Sequence, residues 1–241
     1  MAIKRGITME KELQVNGFKL HAVYNDEFIN QQIKPLIVSW QQQAATQQRR
    51  IIVFLAAPPG AGKSTLALFI ESLCDDIQAL SLDGFHYPQQ YLKSHSLVIH
   101  DEEVLMSKIK GSAETFDTHA FKKHLEQLAG DDCWWPIYDR NLHDVVDHQI
   151  HVTKPIVLIE GNWLLLNELP WNEMVKAADA TMFIHAELKL LKERLIERKI
   201  RGGSSPEEAL HFYETSDRIN CERVMKHSLP ADIEIDESMM F

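Results

Sequence analysis

Two closely spaced glycines lead into a lysine, a serine and a threonine in Ala57-Pro-Pro-Gly60-Ala-Gly62-Lys63-Ser64-Thr65. That spacing can bind phosphate. Glycines let backbone approach an anion without a Cβ, so Gly60, Ala61 and Gly62 can wrap β- and γ-phosphates with N–H groups pointing inward, while Pro59, which has no N–H, lines the loop beside them. Lys63 adds positive charge to the same oxygens, Ser64 offers a hydroxyl to Mg²⁺, and Thr65 continues into a helix whose N-terminus adds its dipole. Ala57 stands where the phosphate-loop pattern has its first glycine. The plain alternative is a glycine-rich turn with a solvated lysine.

Two carboxylates accompany this loop. Asp83 lies in Ser81-Leu82-Asp83-Gly84-Phe85-His86, and Glu160 follows the apolar run Ile156-Val-Leu-Ile. A carboxylate at the C-terminal edge of a parallel strand sits where ligands collect in open α/β sheets. Asp83 there can take the proton of an attacking hydroxyl, and Glu160 can hold Mg²⁺ or its waters. Each also has an ordinary reading, an Asp-Gly turn for Asp83 and a capping or turn residue for Glu160. No Asn-Lys-x-Asp segment occurs, which withdraws support from a guanine-reading switch.

The elements that would position these groups alternate. Ile51 to Leu55, Ile77 to Leu82, Pro155 to Ile159, Ala180 to His185 and Ala231 to Ile235 read as buried strands. Helices are expected from Gly62 or Lys63, around Leu105 to Ile109, over Thr118 to Leu128, over Leu188 to Ile200, and over about Pro206 to His227 after the Gly202-Gly203 break. Short polar strands are expected near Trp134 to Tyr138 and Gln149 to Val152. Strand and helix in this rhythm imply a doubly wound α/β sheet. Before it, Asn16-Gly17 joins two alternating runs into a hairpin, and a helix from Asn25 or Asp26 to Gln48 should kink or split at Pro35. Residues 1–49 therefore read as an appendage on a domain spanning 50–241.

Composition narrows the class. The 241 residues carry 25 Lys and Arg against 35 Asp and Glu, a formal charge of −10, with 45% hydrophobic and 25% charged residues. That balance suits a folded soluble chain and argues against a nucleic-acid or anionic-membrane binder. Three scattered cysteines make neither a disulfide framework nor a zinc pattern. With no apolar leader and no run long enough to span a bilayer, the expected compartment is the cytoplasm.

Phosphate loop, Asp83-Gly-Phe-His86, Lys110-Gly-Ser-Ala-Glu-Thr-Phe-Asp117, Pro136-Ile-Tyr-Asp-Arg140 and Ile159-Glu-Gly161 follow one another in that order. The series resembles the superfamily of phosphoribulokinase, uridine kinase and bacterial pantothenate kinase. Within it, the chain is similar to the nucleoside/nucleotide kinase-like bacterial proteins, some labelled fructose-transport-system kinases. The resemblance runs from about Arg50 to Ile235 and implies a P-loop NTPase fold, a three-layer α/β arrangement with sheet order 2-3-1-4-5. It also implies ATP-dependent phosphorylation of a hydroxyl on a nucleoside, pantothenate-like or sugar acceptor.

The resemblance makes Asp83 the base. It puts Phe85, His86, Lys110, Tyr138, Arg140, His143, Asn162 and Asn220 around the acceptor, with Lys110 steering polar or anionic groups. Tyr138-Asp-Arg140 departs from the Tyr-Ser-His of pantothenate kinases; against the Tyr-Asp-Phe-x-x-His of uridine kinases, His143 matches and Arg140 replaces phenylalanine. Arg194, Arg198 and Arg201 share one helix face and would form a lid over about 194–206, Arg194 on the nucleotide and Arg198 and Arg201 nearest the phosphates. The ordinary reading is a solvated helix with Glu197 paired to Arg201. His143, Asp144, Asp147, His148 and His151 are dense in ligand types but not spaced along one helix face. ATP and Mg²⁺ are the implied cofactors, a small acceptor the partner, with a homodimer left open. The rival reading is a P-loop NTPase switch or chaperone acting on a protein.

Overall fold

The computed structural model describes residues 7–15, 17–99 and 101–241. Its first unit is an antiparallel hairpin of β1 (Thr8–Val15) and β2 (Phe18–Asn25). Gly17 takes φ +85°, a conformation that side chains disfavour; Asn16, the other half of the expected turn, lies outside the described residues. Asn25 caps α1 (Asp26–Phe28), its Oδ1 accepting from the Glu27 N–H at 2.8 Å. Pro35 cannot donate within a helix, and the expected break takes the form of a π turn over Ile29–Ile33, where Lys34 N–H reaches back to Ile29 O. Beyond it α2 (Lys34–Gln47) continues to a left-handed Gln48.

The central strands follow: β3 (Ile51–Ala56), then α3 (Lys63–Glu71), then β4 (Ile77–Ser81). After a 3₁₀ turn at Leu82–Phe85 come α4 (Gln89–Ser94) and a hairpin of β5 (Ser96–Ile99) and β6 (Glu102–Leu105). The helix expected at Leu105 to Ile109 is only a 3₁₀ turn, Met106–Ile109. α5 (Thr118–Leu128) leads to a second hairpin, β7 (Cys133–Asp139) and β8 (Asp144–Val152), longer than the two short strands expected. β9 (Ile156–Gly161) extends past Ile159 and takes Glu160 into the strand. α6 (Trp171–Met174), β10 (Ala180–His185) and α7 (Leu188–Arg201) come next. The single helix expected over Pro206 to His227 is α8 (Pro206–Phe212), a π turn at Tyr213–Asp217, and α9 (Arg218–His227). β11 (Ile233–Asp236) completes the sheet.

Five parallel strands lie in the order β4-β9-β3-β10-β11, which is 2-3-1-4-5 when these strands are counted along the chain. Alternation with period 2 divides β3 between two cores. Ile51, Val53 and Leu55 face a cluster that includes Trp40, Leu66, Phe69 and Leu195, so the N-terminal hairpin and α2 share the core of α3 and α7. Ile52, Phe54 and Ala56 face the other cluster, with Phe121, Trp135 and Trp163. Burial on both faces explains why β3 and β9 read as unbroken apolar runs. Among the described residues, no helix is long and apolar enough to cross a membrane.

Candidate functional site

At the C-terminal edge of β3 the chain turns through Gly60 (φ +85°) and Gly62 (φ +92°) into α3. Both angles lie in the left-handed region that favours glycine. Gly60 also sits against α7: a Cβ there would lie 3.1 Å from Leu195 Cγ. Lys63 and Ser64 form the first turn of α3, and both point to Glu160. Lys63 Nζ is 3.6 Å from Glu160 Oε2, and Ser64 Oγ donates to Oε1 at 3.0 Å. Ser81, at the end of β4, donates to that same Oε1 at 2.8 Å.

Glu160 is buried, and its Oε2 has no hydrogen-bond partner among the described residues. Burial pushes its pKa up, Lys63 opposes that shift, and Asp83 adds to it. A buried carboxylate with an oxygen to spare, beside a serine hydroxyl, is an all-oxygen donor set of the kind Mg²⁺ takes. The residues present therefore fit the cation that phosphoryl transfer uses.

Asp83 lies one short turn from this cluster. Its N–H donates to Ser81 Oγ at 3.2 Å, so Ser81 connects Asp83 to Glu160. Two neighbouring strands fix the turn. A Cβ on Gly84 would lie 2.2 Å from Pro136 O of β7, and one on Gly161 would lie 2.6 Å from Leu82 Cβ. Trp135 Nε1–H also donates to Ser81 O at 2.9 Å. The Asp83 side chain is 39% exposed, and Arg140 Nη2 lies 4.0 Å from its Oδ2.

A wall rises beside Asp83. His86 is buried and stacked on Phe116 at 3.8 Å, with Nδ1 3.3 Å from Thr115 O. Burial holds its pKa below the ordinary histidine value, with Asp83 opposing the shift, so the ring is neutral at pH 7. Lys110 Nζ donates to Gln89 Oε1 at 3.0 Å, Tyr138 Oη at 2.8 Å and His143 O at 3.5 Å. The Lys110 loop is held from below by Trp163, whose Nε1–H donates to Gly111 O at 3.0 Å. Asn220 is buried under the same loop, and Asn162 Oδ1 is buried without a partner among the described residues.

Several expected residues stand elsewhere. Phe85 is a correction: it is 3% exposed and faces the core, against Phe121 and Trp135, because the 3₁₀ turn sends Asp83 and Phe85 to opposite sides. His143 brings its carbonyl rather than its exposed ring to Lys110. The Arg201 side chain is 71% exposed and pairs with Glu197 on its own helix, the ordinary pairing expected of it. Arg194 donates to Gly60 O at 3.4 Å and pairs with Glu237 from the C-terminal segment. Arg198 is exposed on α7, close enough to Asp217 to oppose the upward shift that burial gives that carboxyl. Among the described residues, no group of three or more His, Cys, Asp or Glu side chains converges as a metal site, the 143–151 segment included. Sequence reasoning missed Ser81 and Gln89. Ser81 carried a legible signal, the end of a strand two residues before a candidate base; Gln89 carried none.

Comparison with known proteins identifies this arrangement. The uncharacterized protein YggC of Escherichia coli K12 is 43% identical over 235 residues, 95% of each chain. A candidate uridine kinase of Schizosaccharomyces pombe is 27% identical over 196 residues, 76% of this chain and 81% of that one. The crystal structure of a candidate fructose transport system kinase from Silicibacter sp. TM1040 superposes with a TM-score of 0.71 at 23% identity, covering 80% of this chain and 95% of its own. The chain belongs to the P-loop kinase superfamily of the uridine and pantothenate kinases. No protein-family model matches it. Within this P-loop kinase, the loop at Gly60–Gly62 and the carboxylates at Asp83 and Glu160 occupy adjacent C-terminal strand edges of one sheet.

Proposed function

We propose that this P-loop kinase transfers the γ-phosphate of ATP to a hydroxyl of a small nucleoside, pantothenate-like or sugar-type acceptor. The observation that carries the reading is Ser81, which joins Asp83 on one side to Glu160, Ser64 and Lys63 on the other. A candidate base thus lies on a turn whose Asp83 N–H and the Glu160 carboxylate of the candidate cation site share one hydroxyl, that of Ser81.

On this reading the Gly60–Gly62 amides, the N-terminus of α3 and Lys63 bind the β- and γ-phosphates. Ser64 and Glu160 hold Mg²⁺, which when bound neutralises charge on the phosphate oxygens. Asp83 takes the proton of the acceptor hydroxyl as its oxygen bonds to the γ-phosphorus and the bond from that phosphorus to the β–γ bridging oxygen breaks, leaving ADP. His86, Tyr138 and Lys110 orient the acceptor, and the neutral imidazole can donate or accept there. Residues 50–241 carry this chemistry, residues 1–49 buttress α3, and the 194–206 segment closes over the nucleotide with Arg198 foremost.

The test is ADP release by the full chain with ATP and Mg²⁺ across nucleosides, hydroxy acids, sugars and sugar phosphates. The reading expects turnover to rise sharply with one acceptor class. Turnover that responds to no small molecule but rises with a protein partner supports the switch instead.

A further inference from the structure

Arg194 reaches the phosphate loop from α7, where its guanidinium donates to Gly60 O at 3.4 Å. The side chains that pair with this guanidinium and cover it lie outside the 50–235 stretch that resembles the kinase superfamily. Glu237, 7% exposed, accepts from Arg194 Nη2 through Oε1. Phe241 covers one face of the guanidinium, its ring centroid 5.6 Å from Arg194 Cζ. Tyr24 of β2 stacks on Phe241 in turn, with centroids 5.6 Å apart and planes 19° from parallel. Burial pushes the pKa of the Tyr24 hydroxyl up, and the Arg194 charge opposes that shift. Asn25 N–H donates to Met240 O at 2.8 Å and Met240 N–H to Glu237 O at 3.0 Å, so backbone bonds join the hairpin to the segment that carries Glu237 and Phe241. Met240 is fully buried in the core that Leu66 and Leu195 share. Contacts therefore run unbroken from the N-terminal hairpin, through Phe241 and Glu237, to Arg194 and Gly60.

An ion pair that only tied a terminal segment to a helix could stand in water, where such pairs contribute little. This one does not. The Glu237 side chain is 9% exposed, so its carboxylate is desolvated and depends on Arg194 for its partner. Arg194 also holds a carbonyl of the loop itself, and because a peptide is planar that contact fixes the unit between Gly60 and Ala61. Gly60 has little room to drift, since a Cβ there would lie 3.1 Å from Leu195 Cγ, one residue along α7. We propose that Glu237 and Phe241 are positioning residues for the nucleotide: they hold Arg194 on Gly60 O and so keep the phosphate loop in the shape that takes the β- and γ-phosphates. The inference rests on the phosphate-loop part of the kinase reading above and extends it to residues that the superfamily motifs do not contain. Through Tyr24 and Asn25, the appendage at 1–49 then bears on ATP binding as well as on the core.

The test uses the full chain and measures its affinity for ATP with Mg²⁺ by calorimetry, without acceptor, beside chemical denaturation of each variant without nucleotide. Glu237→Leu should weaken ATP binding by about 10-fold, and Glu237→Gln, which keeps an acceptor oxygen for Arg194, should recover part of that loss. Phe241→Ala should weaken it by about 3-fold, and Phe241→Tyr should restore the parental affinity. Because Phe241 is 56% exposed, this second pair of variants decides the matter even where Glu237→Leu does not fold. In turnover assays, KM for ATP should rise while KM for the acceptor stays put. Variants that lose stability at parental ATP affinity would overturn the inference and leave the contacts structural. Tighter ATP binding in Glu237→Gln would overturn it too, since Glu237 would then compete with phosphate for Arg194. A parent chain that binds no ATP would overturn the kinase reading and this inference together. ATP binding that the variants weaken as expected, with no acceptor phosphorylated by the parent, would uphold the inference and count against the kinase reading alone.

Discussion

Lys63 Nζ lies 3.6 Å from Glu160 Oε2, so the first turn of α3 and the end of β9 share a largely desolvated ion pair. Glu160 feels burial most strongly, and Lys63 is the charge that opposes it. Truncating Lys63 leaves the carboxylate without its cation.

Lys63→Ala should therefore weaken ATP binding, nearly abolish turnover and make stability more steeply dependent on pH. A carboxyl whose folded pKa is raised binds its proton more readily in the native state, so stability rises as pH falls through the folded value towards the unfolded value of 4.5. The variant loses the term that restrained this rise. It should be markedly less stable than the parent above neutral pH and approach it on acidification, as chemical denaturation across pH 4.5 to 8 would record. A constant stability difference over that range would mean that the pair carries no buried charge.

His86 gives the opposite slope. Burial depresses its folded pKa below the ordinary 6.5, so the unfolded chain binds the proton first. Stability contributed by the neutral ring is present above pH 6.5 and is lost as pH falls from there through the folded value. His86→Gln should flatten this part of the profile, and an unaltered slope in that variant would assign the loss to another group.

The turn that holds Asp83 depends on a missing side chain. Gly84→Ala would force a Cβ to within 2.2 Å of Pro136 O unless β7 moves away. Overpacking against backbone should cost about 1–3 kcal/mol of stability and displace Asp83. Thermal unfolding together with acceptor turnover checks this: both should fall. Parental stability and turnover would show that β7 yields freely.

The strands were readable because β3 and the Ile156–Ile159 stretch of β9 are buried on both faces, which makes them continuous apolar runs up to the site at Glu160. The phosphate loop was readable because its glycines answer to backbone geometry, and Gly60 and Gly62 do take positive φ. The β5–β6 hairpin was not, since each strand is only four residues long and the run Val104-Leu105-Met106 follows neither a strand nor a helix period. Phe85 was misplaced for a related reason. Neighbouring residues in a 3₁₀ turn or helix point to different sides, and motif order alone does not say which side meets the ligand. Ser81 needed the sheet, because only β4 lying beside β9 brings it to Glu160.

The central claim is that Asp83 accepts the proton of the acceptor hydroxyl, and Asp83→Asn tests it most directly. Asparagine keeps the shape and an acceptor oxygen but takes up no proton at neutral pH. Acceptor phosphorylation should fall by roughly 10²- to 10⁴-fold. ATP affinity, read by calorimetry on the same preparation, should change little, because Lys63, Ser64 and the loop amides stay in place. Acceptor phosphorylation at the parental rate in Asp83→Asn would contradict the account and leave Asp83 as a turn residue.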